Sequence, residues 1–173
     1  MEFFILLKKN TSHLSSHTPH FTFHTPHSFP KVNNLKHQTL FDPIRQKEVP
    51  ATPEELVRQA TVKFLMDEVK VPQNLIAVEF ALSTVESSTD DRVDILVQDF
   101  KDGADLKHPW LLVECKASGE YTWQALQVQL NKYLQVLTPK YVMLSLGDAV
   151  RYFALDAATK RFQKIDKLPA FSA

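Results

Sequence analysis

The sequence predicts an α/β domain with a mixed central β-sheet flanked by two helices. Two segments carry apolar residues at helical spacing, and five shorter segments are rich in aliphatic and β-branched residues. In chain order these segments read helix, three strands, helix, two strands. This order is typical of layered α/β domains, and the three consecutive strands indicate a meander within the mixed sheet.

The first helix is predicted to begin after Thr52 and to run to about Val69. Thr52 suits the N-cap, Pro53 suits the first helical position, and the two acids that follow suit the first turn. At about 100° per residue, Glu54 should point toward the sheet and Glu55 toward solvent. The apolar face consists of Val57, Ala60, Phe64, Leu65 and Val69.

The other elements follow in order along the chain. Strands are predicted at Leu75–Leu82, Arg92–Gln98, Trp110–Ala117, Tyr141–Leu146 and Val150–Leu155. The second helix precedes the last two strands, spans roughly Trp123–Leu137 and is stopped by Pro139. A turn at Gly147-Asp148 joins the last two strands.

Length, composition and charge narrow the class of protein. A chain of 173 residues can form one domain with a substantial core, and 44% hydrophobic residues are ordinary for a globular protein. A net charge of zero gives no support for strong binding to nucleic acid over the whole surface. The single Cys115 excludes an internal disulfide, and no apolar run approaches the roughly 20 residues that span a bilayer. We therefore expect a cytoplasmic protein with no membrane association.

The N-terminal region differs in composition from the rest of the chain. Residues 1–28 are rich in His, Ser, Thr and Pro without any helical or strand period, which predicts a disordered tail. A metal-binding histidine tract is the alternative reading. The domain is expected to span residues 29–173, and a short hairpin with its turn at Asn33-Asn34 could lie between Phe29 and Phe41.

Ionisable residues interrupt two strands that are otherwise apolar. Asp94 lies in the second predicted strand, and Glu114 and Lys116 lie in the third. Glu114 and Lys116 are two residues apart, so they share a face, whereas Cys115 faces the core. Asp94 should point away from the face shared by Val93, Ile95 and Val97. If the two strands are antiparallel neighbours, Asp94 can lie beside Glu114.

Two carboxylates on an apolar sheet repel each other unless a cation lies between them. Mg²⁺ is the natural choice, with Mn²⁺ as a substitute, because it prefers carboxylate oxygens and keeps waters, one of which could attack a phosphodiester. Lys116 could orient or deprotonate that water, or offset charge on the phosphoryl oxygens. Asp94 and Glu114 would raise its pKa, which favours the electrostatic role.

Further residues could join this pocket. Glu54 could be a third carboxylate, and Gln129, which flanks the apolar stripe of the second helix, could bind a water ligand of the metal or a phosphate. Tyr133 lies one turn later, within the stripe. A structural reading stays open for each of them. Charged neighbours could be edge-strand ion pairs, Glu54 a helix-start acid, and Glu79 on the first strand only a structural carboxylate.

Taken together, these motifs resemble those of the N-terminal nuclease domain of type I restriction enzyme R subunits, within the PD-(D/E)XK nuclease superfamily. The resemblance covers about Phe41 to Leu155 and is closest to short, free-standing bacterial members. The motifs that carry it are Phe41-Asp42-Pro43-Ile44-Arg45, Thr52-Pro53-Glu54-Glu55-Leu56-Val57-Arg58-Gln59, Arg92-Val93-Asp94-Ile95, Leu112-Val113-Glu114-Cys115-Lys116 and Gln129-Leu130-Asn131-Lys132-Tyr133.

The resemblance implies a restriction-endonuclease-like core and Mg²⁺-dependent hydrolysis of DNA. It implies metal ligation by Asp94, Glu114 and the carbonyl of Cys115, with Lys116 as the catalytic lysine. The remaining site residues that it implies are the helix acid Glu54 and the Gln129 and Tyr133 pair. Arg92, Lys132 and Tyr133 are the candidate DNA contacts.

The chain departs from the family in two respects. No Gly-x₄-Gly-Lys-Ser/Thr phosphate loop is present, so an ATP-driven restriction subunit is not expected from this chain alone. The turn at residues 87–91 is acidic where a basic surface facing DNA would be expected. A catalytically weak or inactive nuclease-fold module, binding DNA or protein within a larger restriction or repair assembly, is therefore the alternative function. A homodimer also stays open.

Overall fold

The structure, a computed structural model, describes residues 38–99 and 106–172. Two helices and eight strands are present in this part of the chain. The predicted tail at residues 1–28 and most of the predicted hairpin lie outside the described residues. The elements in chain order are β1 (Thr39–Asp42), β2 (Lys47–Pro50), α1 (Pro53–Asp67), β3 (Ile76–Ala81), β4 (Arg92–Val97), β5 (Leu111–Cys115), α2 (Trp123–Val136), β6 (Tyr141–Ser145), β7 (Val150–Asp156) and β8 (Arg161–Ile165).

A six-stranded mixed sheet forms the centre of the domain, in the order β3-β4-β5-β6-β7-β8. Only β5 and β6 pair in parallel, and the connection between them contains α2, as parallel neighbours require. The predicted meander of β3, β4 and β5 is confirmed, since both of its pairings are antiparallel. The α/β class and the mixed sheet are therefore confirmed, and the arrangement is compatible with the expected restriction-endonuclease-like core.

The two helices pack on opposite faces of this sheet. One hydrophobic cluster joins α1 to the sheet through residues such as Leu65 and Val113, and the other joins α2 to the sheet through residues such as Leu130 and Leu112. Both helices begin with a threonine cap, as expected for α1. Thr52 accepts a hydrogen bond from the Glu55 backbone N–H at 3.1 Å.

No helix in the described residues is long and apolar enough to cross a membrane.

Three strands were not predicted from the sequence. In β8, Phe162 is the only buried residue, so the strand lacks a clear alternation of apolar and polar positions. The β1 and β2 strands are four residues each and carry little apolar content. Their hairpin turns at Asp42, whose Oδ1 accepts hydrogen bonds from the backbone N–H groups of Ile44 and Arg45 at 2.8 and 2.9 Å.

The side-chain alternation predicted for β4 is wrong at the start of the strand. Val93 packs in the α2-side cluster with Leu96, whereas Ile95 packs in the α1-side cluster. Strict alternation would place Val93 and Ile95 on the same face. The faces therefore exchange at Asp94, between these two residues.

Glu79 on β3 shows the physical cause of this exchange. It lies opposite Asp94 in the register, between the pairs Val78↔Ile95 and Phe80↔Val93, and its φ of 54° is in the left-handed region. Val78 packs toward α1 and Phe80 toward α2, so the alternation of β3 also reverses at Glu79. Both strands twist at this pair of acids, and this local geometry positions the Asp94 side chain.

Candidate active site

Asp94 and Glu114 come together because of the β4–β5 register. Ile95 pairs with Val113, and one further step in the antiparallel direction sets Asp94 across from Glu114. A direct hydrogen bond ties the two strands here, since the Cys115 backbone N–H donates to Asp94 Oδ2 at 2.7 Å. The structure therefore brings the two predicted acids to neighbouring positions at the end of the sheet.

Glu114 is a fully buried charged residue. It is 0% exposed, and neither of its carboxylate oxygens has a hydrogen-bond partner of acceptable geometry in the described part of the chain. Burial and the negative charge of Asp94 raise the pKa of Glu114 to about 8, although Lys116 acts in the opposite direction. The side chain can therefore hold a proton at neutral pH or bind a cation.

Lys116 follows β5 and contacts two carboxylates. Its Nζ lies 2.7 Å from Glu114 Oε1 and 3.3 Å from Glu54 Oε2. The contact with Glu114 is an ion pair at an angle that does not suit a hydrogen bond. Burial alone would lower the pKa of Lys116, but the nearby carboxylates, Glu114 foremost, outweigh it and raise the pKa. The direction agrees with the sequence prediction, and it favours a charged amine over a general base.

Glu54 points toward the sheet, as expected, and is partly exposed beside Lys116. The prediction that Glu55 faces solvent is wrong, because Glu55 is buried. Two arginines and a glutamine surround its carboxylate: Arg45 Nη2 donates at 2.7 Å, Gln59 Nε2 donates at 2.8 Å, and Arg58 also donates. The spacing of apolar residues along a helix does not reveal that a charged side chain is buried by its ion pairs.

Arg58 was not predicted as a site residue, yet it connects most of the carboxylates. Its side chain is 7% exposed, and its Nη2 lies 2.6 Å from Asp94 Oδ1, 2.8 Å from Glu79 Oε1 and 3.3 Å from Glu54 Oε1. Burial would lower its pKa, but Asp94, Glu79 and Glu55 raise it above its usual value. One signal in the sequence could have identified it. Arg58 lies four residues after Glu54 and three after Glu55, a spacing that permits ion pairs along a helix.

Glu79 belongs to the same group of charges. Its carboxylate contacts Arg58, and its side chain is about one-third exposed, at the outer side of the site. A non-glycine residue in the left-handed region is uncommon and unfavourable. The backbone geometry at Glu79 is the part of the site that no sequence pattern indicated.

The predicted pair on α2 is also present. Gln129 Nε2 donates a hydrogen bond to the hydroxyl of Tyr133, which is only 1% exposed and packs in the α2-side cluster. Burial raises the pKa of the Tyr133 hydroxyl, and the charge of Glu114 adds to this effect. Tyr133 thus has its ring in the core and its hydroxyl toward the acids, with no surface for contact with DNA.

Two adjoining grooves run from Lys116 along the exposed side of α2. The first encloses about 330 Å³, and the second encloses about 530 Å³. Both are lined by Thr122, Ala125 and Gln129. The other two predicted DNA contacts, Arg92 and Lys132, are exposed, and Lys132 lines the larger groove. Its Nζ lies 3.5 Å from Asp91 Oδ1.

Cys115 faces the core, as predicted. Its side chain is fully buried in the α1-side cluster, and burial raises the pKa of the thiol. The thiol therefore takes no part in the charged site. The backbone of Cys115 contributes the N–H that holds Asp94, and its carbonyl is the group that the resemblance implied as a metal ligand.

The residues present fit a divalent cation. Within residues 38–99 and 106–172, no three His, Cys, Asp or Glu side chains form a ready metal cage. The expected ligands are instead two carboxylates and one backbone carbonyl. The observation that supports the fit is the buried carboxylate of Glu114 beside Asp94, whose oxygens have no hydrogen-bond partner in the described part of the chain and whose one close cation is Lys116. Asp94, Glu114 and Cys115 would hold the ion.

Comparison with known proteins agrees with this architecture. A sequence profile described as Type I restriction enzyme R protein N terminus (HSDR_N) matches residues 53–169, which include α1 through β8 and all the candidate residues. A search of curated proteins found no match. The profile covers more than half of the chain, and the resemblance read from the motifs is confirmed. The chain belongs to the family of type I restriction enzyme R protein N-terminal domains.

Proposed function

We propose that this protein is a Mg²⁺- or Mn²⁺-dependent nuclease that hydrolyses phosphodiester bonds of DNA. The observation that carries the proposal is the fully buried Glu114 carboxylate, which lacks hydrogen bonds and lies across the register from Asp94. Two adjacent buried acids on neighbouring strands repel each other when both are ionised, and a divalent ion with oxygen ligands would relieve that repulsion. The family description, which names a restriction enzyme, supports the same chemistry.

The roles of the side chains follow from their charges and contacts. A bound divalent ion would supply Lewis-acid polarisation of the phosphate and of the attacking water. Lys116, held as a cation by Glu114 and Glu54, would offset negative charge that develops on the phosphoryl oxygens. Gln129 lines both grooves beside Lys116, and its bond to Tyr133 fixes its amide for contact with water or phosphate.

The substrate would lie over the exposed side of α2. Arg92 and Lys132 are exposed cations, and Lys132 lines the larger groove. Asp91 partly cancels the charge of Lys132, and the chain as a whole is neutral. Weak intrinsic affinity for DNA follows from this balance. We therefore propose that the domain acts within a larger restriction or repair complex that supplies further contacts with DNA.

A nuclease assay tests this proposal. Purified protein with Mg²⁺ or Mn²⁺ should cut plasmid or linear DNA, and a chelator should abolish cutting. Asp94→Asn, Glu114→Gln and Lys116→Ala should each reduce the rate by at least about 100-fold. Gln135→Ala, at an exposed position of α2 outside both grooves, is the control and should cut at the wild-type rate. Cutting that survives all three substitutions would exclude this active site.

One observation favours a second function, a nuclease-fold module that binds DNA or protein without cutting. Arg58 already contacts Asp94, and Lys116 already contacts Glu114, so each metal-binding acid has a protein cation beside it. Calorimetric titration with Mg²⁺ and Mn²⁺ separates the two functions. Binding in the millimolar range or tighter that Asp94→Asn weakens favours the enzyme. No binding, with Asp94→Asn unchanged, favours the binding module.

A further inference from the structure

Arg58 lies where a divalent cation would have to approach Asp94. Its Nη2 is 2.6 Å from Asp94 Oδ1, while the other oxygen of Asp94 accepts the Cys115 N–H. Mg²⁺ binds carboxylate oxygens at about 2.1 Å, so a bound ion and the guanidinium would be close neighbours with like charge. Arginine cannot relieve this repulsion by losing its proton, because it stays charged at any accessible pH.

The surroundings of Arg58 offer other positions for its charge. Its Nη1 donates to Glu55, and its Nη2 also contacts Glu79 at 2.8 Å and Glu54 at 3.3 Å. The guanidinium could therefore leave Asp94 without becoming an unpaired buried charge, which would be strongly unfavourable. In its present position the Nε of Arg58 is buried without a hydrogen-bond partner in the described part of the chain, so this position is incompletely satisfied.

The charge balance of the site favours an incoming cation. Three cationic side chains, Arg45, Arg58 and Lys116, link six carboxylates through ion pairs. The acids outnumber the cations twofold, so the network retains negative charge when every group is ionised. The six carboxylates belong to Asp42, Glu54, Glu55, Glu79, Asp94 and Glu114.

We propose that Arg58 is an internal counter-ion that occupies Asp94 in the metal-free protein and that a divalent cation displaces it from Asp94, while Glu79 keeps hold of the guanidinium. The inference rests on the proposed metal-dependent function. Arg58 is a positioning residue in this scheme: it keeps the acids paired before the ion arrives, and it lowers the apparent affinity for the ion because it must first move. Glu79, with its unusual backbone, provides the second position for the guanidinium.

The test is calorimetric titration of the full chain with Mn²⁺ alone. Arg58→Met should bind Mn²⁺ at least about tenfold more tightly than wild type, because the competing cation is gone. Arg45→Met is the matched control: it removes the same charge from the same network, but Arg45 contacts Asp42 and Glu55 and not Asp94. The control should change the affinity by less than about threefold.

A double-mutant cycle separates the role of Glu79 from direct metal ligation. Glu79→Gln should weaken Mn²⁺ binding by about fivefold in the wild-type chain and have little effect in the Arg58→Met chain. An equal loss in both chains would identify Glu79 as a ligand and overturn the proposal. Affinity of Arg58→Met that equals or falls below wild type would also overturn it.

A crystal structure of the wild-type chain with Mn²⁺ supplies a second measurement, which holds even if Arg58→Met fails to fold. Arg58 Nη2 should lie more than about 3.5 Å from Asp94 Oδ1 and remain bonded to Glu79. Persistence of the Asp94 contact beside a bound ion overturns the inference.

The outcomes also separate this inference from the proposed function. If wild type binds Mn²⁺ and cuts DNA while Arg58→Met binds no better, only the inference fails. If neither chain binds the ion, both fail.

Discussion

The Nζ of Lys116 lies 2.7 Å from Oε1 of Glu114, a carboxylate with no exposed surface. This contact does not fully offset burial and the charge of Asp94, since the pKa of Glu114 is still raised from 4.5 to about 8. A raised carboxyl pKa means that the folded state binds the proton more tightly than the unfolded state does. The stabilising effect of this proton is complete below about pH 4.5 and is lost as the pH rises to about 8.

Glu114→Gln should therefore change how stability depends on pH. Glutamine is nearly isosteric and cannot ionise, so without divalent ions the variant should be more stable than wild type at about pH 9, by on the order of 3 kcal/mol. The two proteins should differ little at about pH 5. Urea unfolding at both pH values measures this. Glu48→Gln, at an exposed position of β2, is the control and should show no such pH dependence. A constant difference between wild type and Glu114→Gln would contradict the raised pKa.

Lys116→Met should separate catalysis from metal binding. The amine lies beside Glu114, a carboxylate proposed to bind the metal, and is positively charged, so its removal should leave Mn²⁺ affinity equal or higher. The cutting rate should nevertheless fall by at least about 100-fold, because the proposed offset of charge on the phosphoryl oxygens by the Lys116 amine is lost. Single-turnover cutting and calorimetry on the same sample provide both numbers. Lys140→Met, which loses only an ion pair with Asp99 at 2.5 Å, is the control. A parallel loss of affinity and rate would show that Lys116 acts through the metal site.

The fold was predictable where a local pattern sets the structure. Thr52 and Pro53 marked the start of α1, and the apolar runs around Asp94 and Glu114 marked β4 and β5. These features depend on neighbours in sequence, so a single chain reveals them. The predicted meander of three strands made antiparallel pairing of β4 and β5 the expectation, and that pairing brings Asp94 to Glu114.

The rest of the site depended on contacts that no local pattern encodes. Glu55 is buried because Arg45 and Arg58 surround it, and Arg45 comes from the hairpin that precedes the helix. Arg58 reaches Asp94 across 36 positions of sequence. The left-handed backbone at Glu79 reverses the alternation of two strands at once. Polar burial and backbone twist of this kind emerge only from the tertiary packing.

The strained backbone at Glu79 predicts an unusual order of stabilities. At a φ of 54°, Glu79→Gly should be more stable than Glu79→Ala by about 1 kcal/mol, although glycine normally weakens a strand. Both variants lose the ion pair with Arg58, so their difference isolates the backbone. Urea unfolding of the two proteins measures it. At Val78, which has ordinary strand geometry, the alanine variant should instead be the more stable of the pair. If the alanine variant were the more stable one at Glu79 as well, the backbone of Glu79 would bear no strain.

Close packing at Gly147 predicts that the β6–β7 turn helps to position the segment that follows Lys116. A Cβ at Gly147 would lie 2.8 Å from the Ser118 backbone N, and its φ of 78° disfavours any side chain. Gly119 has a similar φ of 75° but open space around its Cβ position. Gly119→Ala should therefore lower the free energy of unfolding by about 1 kcal/mol, because alanine is strained at a positive φ. Gly147→Ala should lower it by at least about 1 kcal/mol more, because its Cβ also clashes with Ser118.

The two glycine variants should also differ in activity. The clash in Gly147→Ala pushes on Ser118, two residues beyond Lys116, where the Ser118 hydroxyl also donates to Asp148 Oδ2 at 2.9 Å. A shift of Lys116 by even a fraction of an ångström would weaken its approach to the phosphate, so cutting should slow at least about tenfold. Gly119→Ala leaves that contact intact and should retain most of the rate. Urea unfolding and a cutting assay on folded protein measure both effects, and equal losses for the two variants would show that the turn does not position Lys116.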